Sequence, residues 1–218
     1  MQLDRKTTLV FQKKILSWYA TNRRDLPWRR TRDPYKILVS EVMLQQTQVS
    51  RVIPKYEAWL EAFPTLETLA GASRRDILAM WSGLGYNRRA LNLQKAAETI
   101  NELRIKNNEL RKKEDKFSYW PKTVEELKKL PGVGAYTARA VACFAFDQQI
   151  AVVDTNVRKV ILLEVAKGTE EPKGTKEVQK MADELLPKGK ASDWNQALMD
   201  YAALVLKDKK VPLKKQSR

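Results

Sequence analysis

Two carboxylates stand where a carboxylate needs a reason. Glu41 lies in YKILVSEVMLQQTQVSRVI among Val39, Val42, Met43 and Leu44, and Asp154 interrupts QQIAVVDTNVRKVILL, a run that otherwise reads as buried. The 218 residues include no histidine and a single cysteine, Cys143, within the apolar run VACFAF. The usual general base, the usual catalytic triad and the usual transition-metal ligand are therefore missing, and neither a disulfide nor a multi-cysteine metal site can be built. Chemistry falls to carboxylates, hydroxyls, amides or lysines.

Each carboxylate reads two ways. Burial without a cationic partner raises a carboxyl pKa, so Glu41 could hold a proton near neutral pH and deliver it to a leaving base. The alternative is an exposed first-turn glutamate near a helix start, interacting with the helix dipole. Asp154 could stabilise an oxocarbenium-like cation on a deoxyribose, as one of the carboxylate pair does in glycosidases. It could also be the N-cap of a helix beginning near Val157, its oxygen accepting a backbone N–H, and the two roles are compatible. The polar run Gln45, Gln46, Thr47 and Gln48 suits hydrogen bonding to base edges or filling the gap left by an extruded nucleotide. A water-facing helix surface would accept the same residues.

A third element is LPGVGAYTARAVA, residues 130 to 142. Pro131 and Gly132 break the preceding helix. Glycines at 132 and 134 permit a tight turn and leave amide N–H groups at the positive end of the next helix, an anion site suited to a backbone phosphate. Such a contact fixes register and selects no base. The alternative is an ordinary helix-turn-helix corner.

The elements that hold these residues read as helices. Apolar residues recur at helical spacing in VEELKKL, RRDILAMWSGLGY and WNQALMDYAALVL, and strand alternation is scarce, so an all-α protein is expected. Ser73 marks one helix start, and Thr123 with Glu126 forms a capping box at another. No Gly/Ser linker divides the chain, so two lobes would be interleaved rather than strung in sequence. Residues 104 to 116 read as a solvated extension, and the C-terminal KDKKVPLKKQSR as a frayed basic arm. Against 26 Asp and Glu stand 41 Lys and Arg, a formal +15 that favours a polyanionic partner, nucleic acid first. No apolar stretch is long enough to cross a bilayer and no secretory h-region opens the chain, so a cytoplasmic, nucleoid-associated location is expected.

LPW (26 to 28), DPYKILVSEVMLQQTQVSRVIPKY (33 to 56), GLGY (83 to 86), LPGVG with YTA (130 to 138) and VVDTNVRKV (152 to 160) together resemble, in order and spacing, the catalytic domain of MutY-type adenine DNA glycosylases. These belong to the helix-hairpin-helix superfamily with endonuclease III. The resemblance runs from about residue 10 to about residue 205, and SEVMLQQTQV is its most specific piece. It implies an all-α fold with a six-helix barrel lobe, residues 27 to 137. A second lobe would come from both ends, residues 1 to 26 with 138 to 205, followed by a basic tail from 206 to 218. Double-stranded DNA would be bound across the cleft by a monomer.

The resemblance also assigns roles. Glu41 matches the general acid that protonates adenine N7, and Asp154 the carboxylate that stabilises or transiently traps the sugar cation. Tyr136 stands where endonuclease III-type enzymes carry a Schiff-base lysine, so a monofunctional glycosylase is implied. Asn156 matches an asparagine that hydrogen-bonds near Asp154. Gln46 and Tyr86 match residues that wedge into the duplex. Gln45, Thr47, Gln48, Leu84, Arg88, Gly132, Val133, Gly134 and Thr137 complete the expected DNA-contacting set.

The chain departs from the family pattern in places. Leu206 stands where the first of four cluster cysteines would fall, so no iron-sulfur cluster is expected and an apolar contact should replace it. The only cofactor left to expect is a monovalent cation at the hairpin backbone carbonyls. The sequence also ends where the family continues into a domain that reads 8-oxoguanine. Asn87 replaces a second tyrosine. Rival readings are a glycosylase for uracil or thymine opposite guanine or for oxidised pyrimidines, and a non-catalytic DNA-binding module. Retention of both Glu41 and Asp154 argues against the second, because phosphate binding requires neither.

Overall fold

A computed structural model describes residues 4–106, 117–166 and 174–209. Most of the expected extension at 104–116 and the last residues of the basic tail, 210–218, lie outside them. Among the described residues all regular structure is helical: eleven α-helices, a short 3₁₀ turn at Pro27–Arg29 and a π-helical stretch at Ile161–Val165. The chain divides into two compact units, Asp25–Phe146 and a second made from Met1–Arg24 with Asp147–Arg218.

The unit Asp25–Phe146 contains α2 (Pro34–Leu44), α3 (Val49–Ala62), α4 (Leu66–Ala70), α5 (Arg74–Trp81), α6 (Arg88–Lys106), α7 (Val124–Leu127) and α8 (Ala135–Phe146). Helix α2 is its centre, packing on α3, α6 and α8. Nine of its eleven residues are buried, which is why its sequence is apolar all round rather than striped. Helix α6 instead shows a stripe, burying Ala90, Leu93, Ala97 and Ile100 at helical spacing. Trp59 and Trp81, both fully buried, meet edge to face at 5.5 Å between α3 and α5. The starts are capped as the sequence predicts. Ser73 Oγ accepts the Asp76 amide, and Thr123 and Glu126 form a complete capping box ahead of α7. Three hydrogen bonds from Thr123 and Lys122 hold the Glu126 carboxyl below its ordinary pKa.

The lobe boundary expected at 137/138 would cut α8. The structure keeps α8 whole in this unit, because its apolar face packs along α2 and Ala138, Ala140, Val141, Ala142 and Cys143 are fully buried.

The other unit packs α11 (Ala191–Leu204) against α1 (Arg5–Asn22) and α9 (Thr155–Val160), with α10 (Thr175–Glu184) on the π-helical stretch. Trp194, Ile15, Val157, Val160, Ile161 and Leu198 form its core. Leu206, expected to begin the tail, is instead fully buried in that core, the apolar contact foreseen for this position. Asp200 on α11 is also fully buried and takes both the Arg24 amide, at 3.0 Å, and the Arg24 Nε, at 2.5 Å. That pair ties the end of the N-terminal segment to α11. Asp200→Ala strips both donors of this acceptor and is expected to lower unfolding stability by roughly 2–3 kcal/mol. A shift of the urea midpoint at unchanged m-value would register it; an unshifted midpoint would show that the pair contributes nothing.

Candidate functional site

In the unit Asp25–Phe146, Asp33 and Pro34 start α2 in the regular way, Asp33 Oδ1 accepting the Tyr35 amide and proline occupying the first turn. Eleven residues later the helix ends, so Glu41 lies in its last turn and not near its start. The first-turn reading fails on that count. Glu41 is 6% exposed, and its Oε2 is fully buried and accepts no hydrogen bond.

The chain leaves α2 through a tight turn in which Gln46 adopts a left-handed backbone, φ 55°. Gln46 and Gln48 are exposed. Gln45 turns inward, its Nε2 donating to Thr137 Oγ1 at 3.4 Å, and Thr47 donates to the Gln45 carbonyl. Thr137 is 3% exposed, so it serves this loop rather than offering a surface to DNA. A second turn, 82–87, carries Gly83, Gly85 and Tyr86 at positive φ, and the Tyr86 side chain is 70% exposed. Leu84, expected as a contact, is buried at 5% and anchors the turn. Arg88 is exposed at the start of α6.

One side chain joins these two turns, and the sequence reading missed it. Arg89 Nη1 donates to the carbonyls of Val42, Met43 and Gln45 at 2.8, 3.1 and 2.7 Å. Its Nη2 donates to Thr47 Oγ1 at 3.3 Å and to the carbonyls of Leu84 and Gly85 at 2.9 and 3.1 Å. Nothing in RRALNL distinguishes this arginine from its neighbour, since only the meeting of three segments makes it a clamp.

The hairpin runs from α7 to α8. Gly132 has φ 77°, and a Cβ there would approach the Asn92 Cβ to 2.7 Å, so only glycine fits. Val133 is buried and its amide donates to the Leu130 carbonyl at 3.1 Å. It shapes the turn and offers an anion neither side chain nor N–H, contrary to expectation. Gly134 and Gly132 are exposed, and nothing stands within 4 Å of where a Gly134 Cβ would be. Exposed glycines thus lead into the positive end of the twelve-residue helix α8. Tyr136 is half-buried in its first turn.

In the other unit, Asp154 caps α9. Its Oδ1 accepts the Val157 amide at 2.7 Å and its Oδ2 the Asn156 Nδ2 at 2.9 Å. The capping reading holds, and it also fixes the carboxylate in one orientation. Desolvation raises the Asp154 pKa above its ordinary 3.8, outweighing the bonds from Val157 and Asn156 that lower it. The approach to Asp154 is held by Asn195, fully buried on α11. Its Oδ1 accepts the Val152 amide at 2.8 Å and its Nδ2 donates to the Ile150 carbonyl at 3.0 Å, completing for this extended segment the bonds a sheet partner would supply. This residue was also missed, although a polar side chain one position from Trp194 on an apolar helical face was a visible signal.

Among the described residues no three of His, Cys, Asp and Glu cluster in a way that could hold a metal ion. A four-cysteine cluster does not fit these residues, because the 218 residues hold one cysteine, buried in α8. No described helix is long and apolar enough to cross a membrane.

Residues 39–188 match the family model of the HhH-GPD superfamily base excision DNA repair proteins. The chain belongs to that superfamily. It is similar to an adenine DNA glycosylase of Mycolicibacterium smegmatis, with 43% identity over 88% of this chain and 62% of the relative. It is also similar to the human adenine DNA glycosylase, 40% identical over 90% of this chain and 36% of the relative. The chain thus spans less than two thirds of the length of these curated relatives. A solved thermostable thymine-DNA glycosylase superposes with TM-score 0.78 at 32% identity, covering 94% of this chain and 90% of that one. The all-α HhH-GPD fold is the one the sequence implied.

Two outcomes follow from this geometry. Gly132→Ala forces a Cβ onto Asn92 in a left-handed backbone, and should lower stability by about 1–2 kcal/mol. A melting temperature equal to the parent's would refute the clash. Asp154→Asn keeps the N-cap while removing a carboxylate that burial disfavours. A carboxyl whose folded pKa is raised loses stability as pH climbs from the unfolded value through the folded one. The variant should therefore gain in stability relative to the parent as pH rises above 3.8 and hold that gain at neutrality. Urea titrations at several pH values would check this, and a difference that does not vary with pH would contradict it.

Proposed function

We propose that the protein flips adenine mispaired with 8-oxoguanine or guanine out of duplex DNA and hydrolyses its N-glycosidic bond, leaving an abasic site. The observation that carries the reading is the pair of placed carboxylates. Glu41 is buried in the last turn of α2, and Asp154 is fixed by Val157 and Asn156. The two curated relatives described above, both named adenine DNA glycosylases, support adenine as the base.

Flipping is required because the scissile bond cannot be reached inside the stack, and a mispair lowers its cost. Glu41 gives its proton to adenine N7 as the C1′–N9 bond breaks and the bonding electrons leave with the base. The Asp154 carboxylate faces the resulting sugar cation, and water then adds to C1′ and releases its proton. Asn156 keeps Asp154 oriented throughout. Tyr136 has no amine with which to form an imine, so strand cleavage through a Schiff base is not part of the reaction. The start of α8 takes a DNA backbone phosphate, while exposed Gln46, Gln48, Tyr86 and Arg88 face the duplex. No cofactor is needed beyond a monovalent cation at the hairpin carbonyls, and one chain suffices.

Single-turnover incubation with duplexes carrying A opposite 8-oxoguanine, A opposite G, U opposite G and T opposite G tests this. Alkali-dependent breaks at adenine alone are expected. Release of thymine would replace adenine with the substrate named for the solved thymine-DNA glycosylase, and release of nothing would leave a binding module. Glu41→Gln should cost roughly 10²–10⁴-fold in rate and Asp154→Asn roughly 10²–10³-fold, with duplex binding retained. Equal loss of binding in both variants would sink the catalytic roles. The acid limb of the pH–rate profile should lie above 3.8, because desolvation raises the Asp154 pKa.

A further inference from the structure

The two surface turns of the unit Asp25–Phe146 share an unusual property. Each presents an exposed, non-glycine side chain from a left-handed backbone, Gln46 at φ 55° and Tyr86 at φ 48°. Strain of this kind persists only where surrounding structure over-determines it. Here the over-determination comes from one guanidinium, which donates to six oxygens of 42–47 and 84–85. Arg89 also lies over the rings of Trp81 and Tyr86, at 5.2 and 5.8 Å, and the Trp81 indole donates to the Gly85 carbonyl at 3.0 Å. Half of its bonds fall on carbonyls at the end of the helix that carries Glu41.

We infer that Arg89 makes the two turns and the end of α2 one mechanical body, so that what stacks against Tyr86 is reported to Glu41. An exposed aromatic ring and an exposed amide are the groups that stack on and hydrogen-bond to bases. Without the clamp each turn would relax by itself, and the base met at one tip would no longer affect chemistry governed by the other. Arg89 is thus a positioning residue that sets selectivity for the base opposite the target. This inference rests on the proposed glycosylase reading.

The test is Arg89→Lys, which keeps the charge but has three donors for six acceptors. Melting curves and active-site titration come first, so that rates are expressed per folded, active enzyme. Single-turnover excision is then measured for adenine opposite 8-oxoguanine, guanine and cytosine. The parent's ratio between its best and worst opposite base should shrink at least about fivefold, the scale of an ordinary coupling between sites. A merely structural role would slow all three substrates by one factor and leave the ratio intact, which would overturn the inference. So would a parent enzyme with no opposite-base preference. In a double-mutant cycle, Tyr86→Ala should change the ratio in the parent and not in the Arg89→Lys background; additive effects would show that the turns are uncoupled. If Arg89→Lys fails to fold, Thr47→Val, which removes one of the six acceptors of Arg89 together with the hydroxyl's own bond to the Gln45 carbonyl, should move the ratio in the same direction by a smaller factor, and no movement would count against the clamp. A parent that releases no adenine from any duplex would overturn the glycosylase reading and this inference with it, whereas an active parent whose ratio Arg89→Lys leaves intact would overturn the inference alone.

Discussion

Backbone amides and carbonyls that leave a helix must find partners, and in a protein whose described residues include no strand, side chains supply several that tight turns do not. This constraint organises the segments around Asp154 and Arg89. Asn195 reaches from α11 to complete the bonds of residues 150–152, so that the extended approach to Asp154 is held without a sheet. Asp154 then accepts the Val157 amide of the helix it begins. Arg89 closes the carbonyl end of α2 and the turn at 84–85 together. In each place one polar group, buried or half-buried, fixes a stretch of irregular chain that a helical ladder would otherwise have fixed.

The same arrangement explains how surface residues come to be held firmly. Gln46 and Tyr86 are exposed at turns with left-handed backbones, which would be poorly populated in isolation. Their rigidity is borrowed from beneath, from Arg89 and from Trp81 in the aromatic core with Trp59. At the hairpin the logic is inverted. Val133 is drawn into the core and gives its amide to Leu130, and what remains at the surface is two glycines and the open start of α8. The phosphate site proposed there would be made of backbone, which needs its side chains out of the way.

Much of this was legible in the residues themselves. Helical periodicity gave the class, and short-range chemistry gave the caps at Ser73, Thr123 and Asp154, because a cap depends on residues two or three positions apart. Asn156 beside Asp154 came from the family resemblance. The LPGVG turn was readable because positive φ demands glycine at 132. Glu41 read either as a buried acid or as an exposed first-turn glutamate, in both cases near a helix start, whereas it is buried in the last turn of α2. Its neighbours are apolar on every side, so periodicity could not show which end of α2 it occupied.

Only the tertiary structure decided which polar residues act through others. Thr137, Leu84 and Val133 have side chains or positions suited to DNA contact, and packing turned all three inward. Arg89 carries no local signature, and the polar residue beside Trp194 does not by itself say what Asn195 binds, because their partners lie 42 to 47 residues and 43 to 45 residues away in the chain, apart from the turn at 84–85 just before Arg89 and the Ala191 carbonyl one turn before Asn195. Sequence by itself determined the chemistry available, two carboxylates and a glycine hairpin in an all-helical chain without histidine. The fold decided how rigidly each group is held, since rigidity comes from contacts between distant segments and no spacing along the chain encodes it.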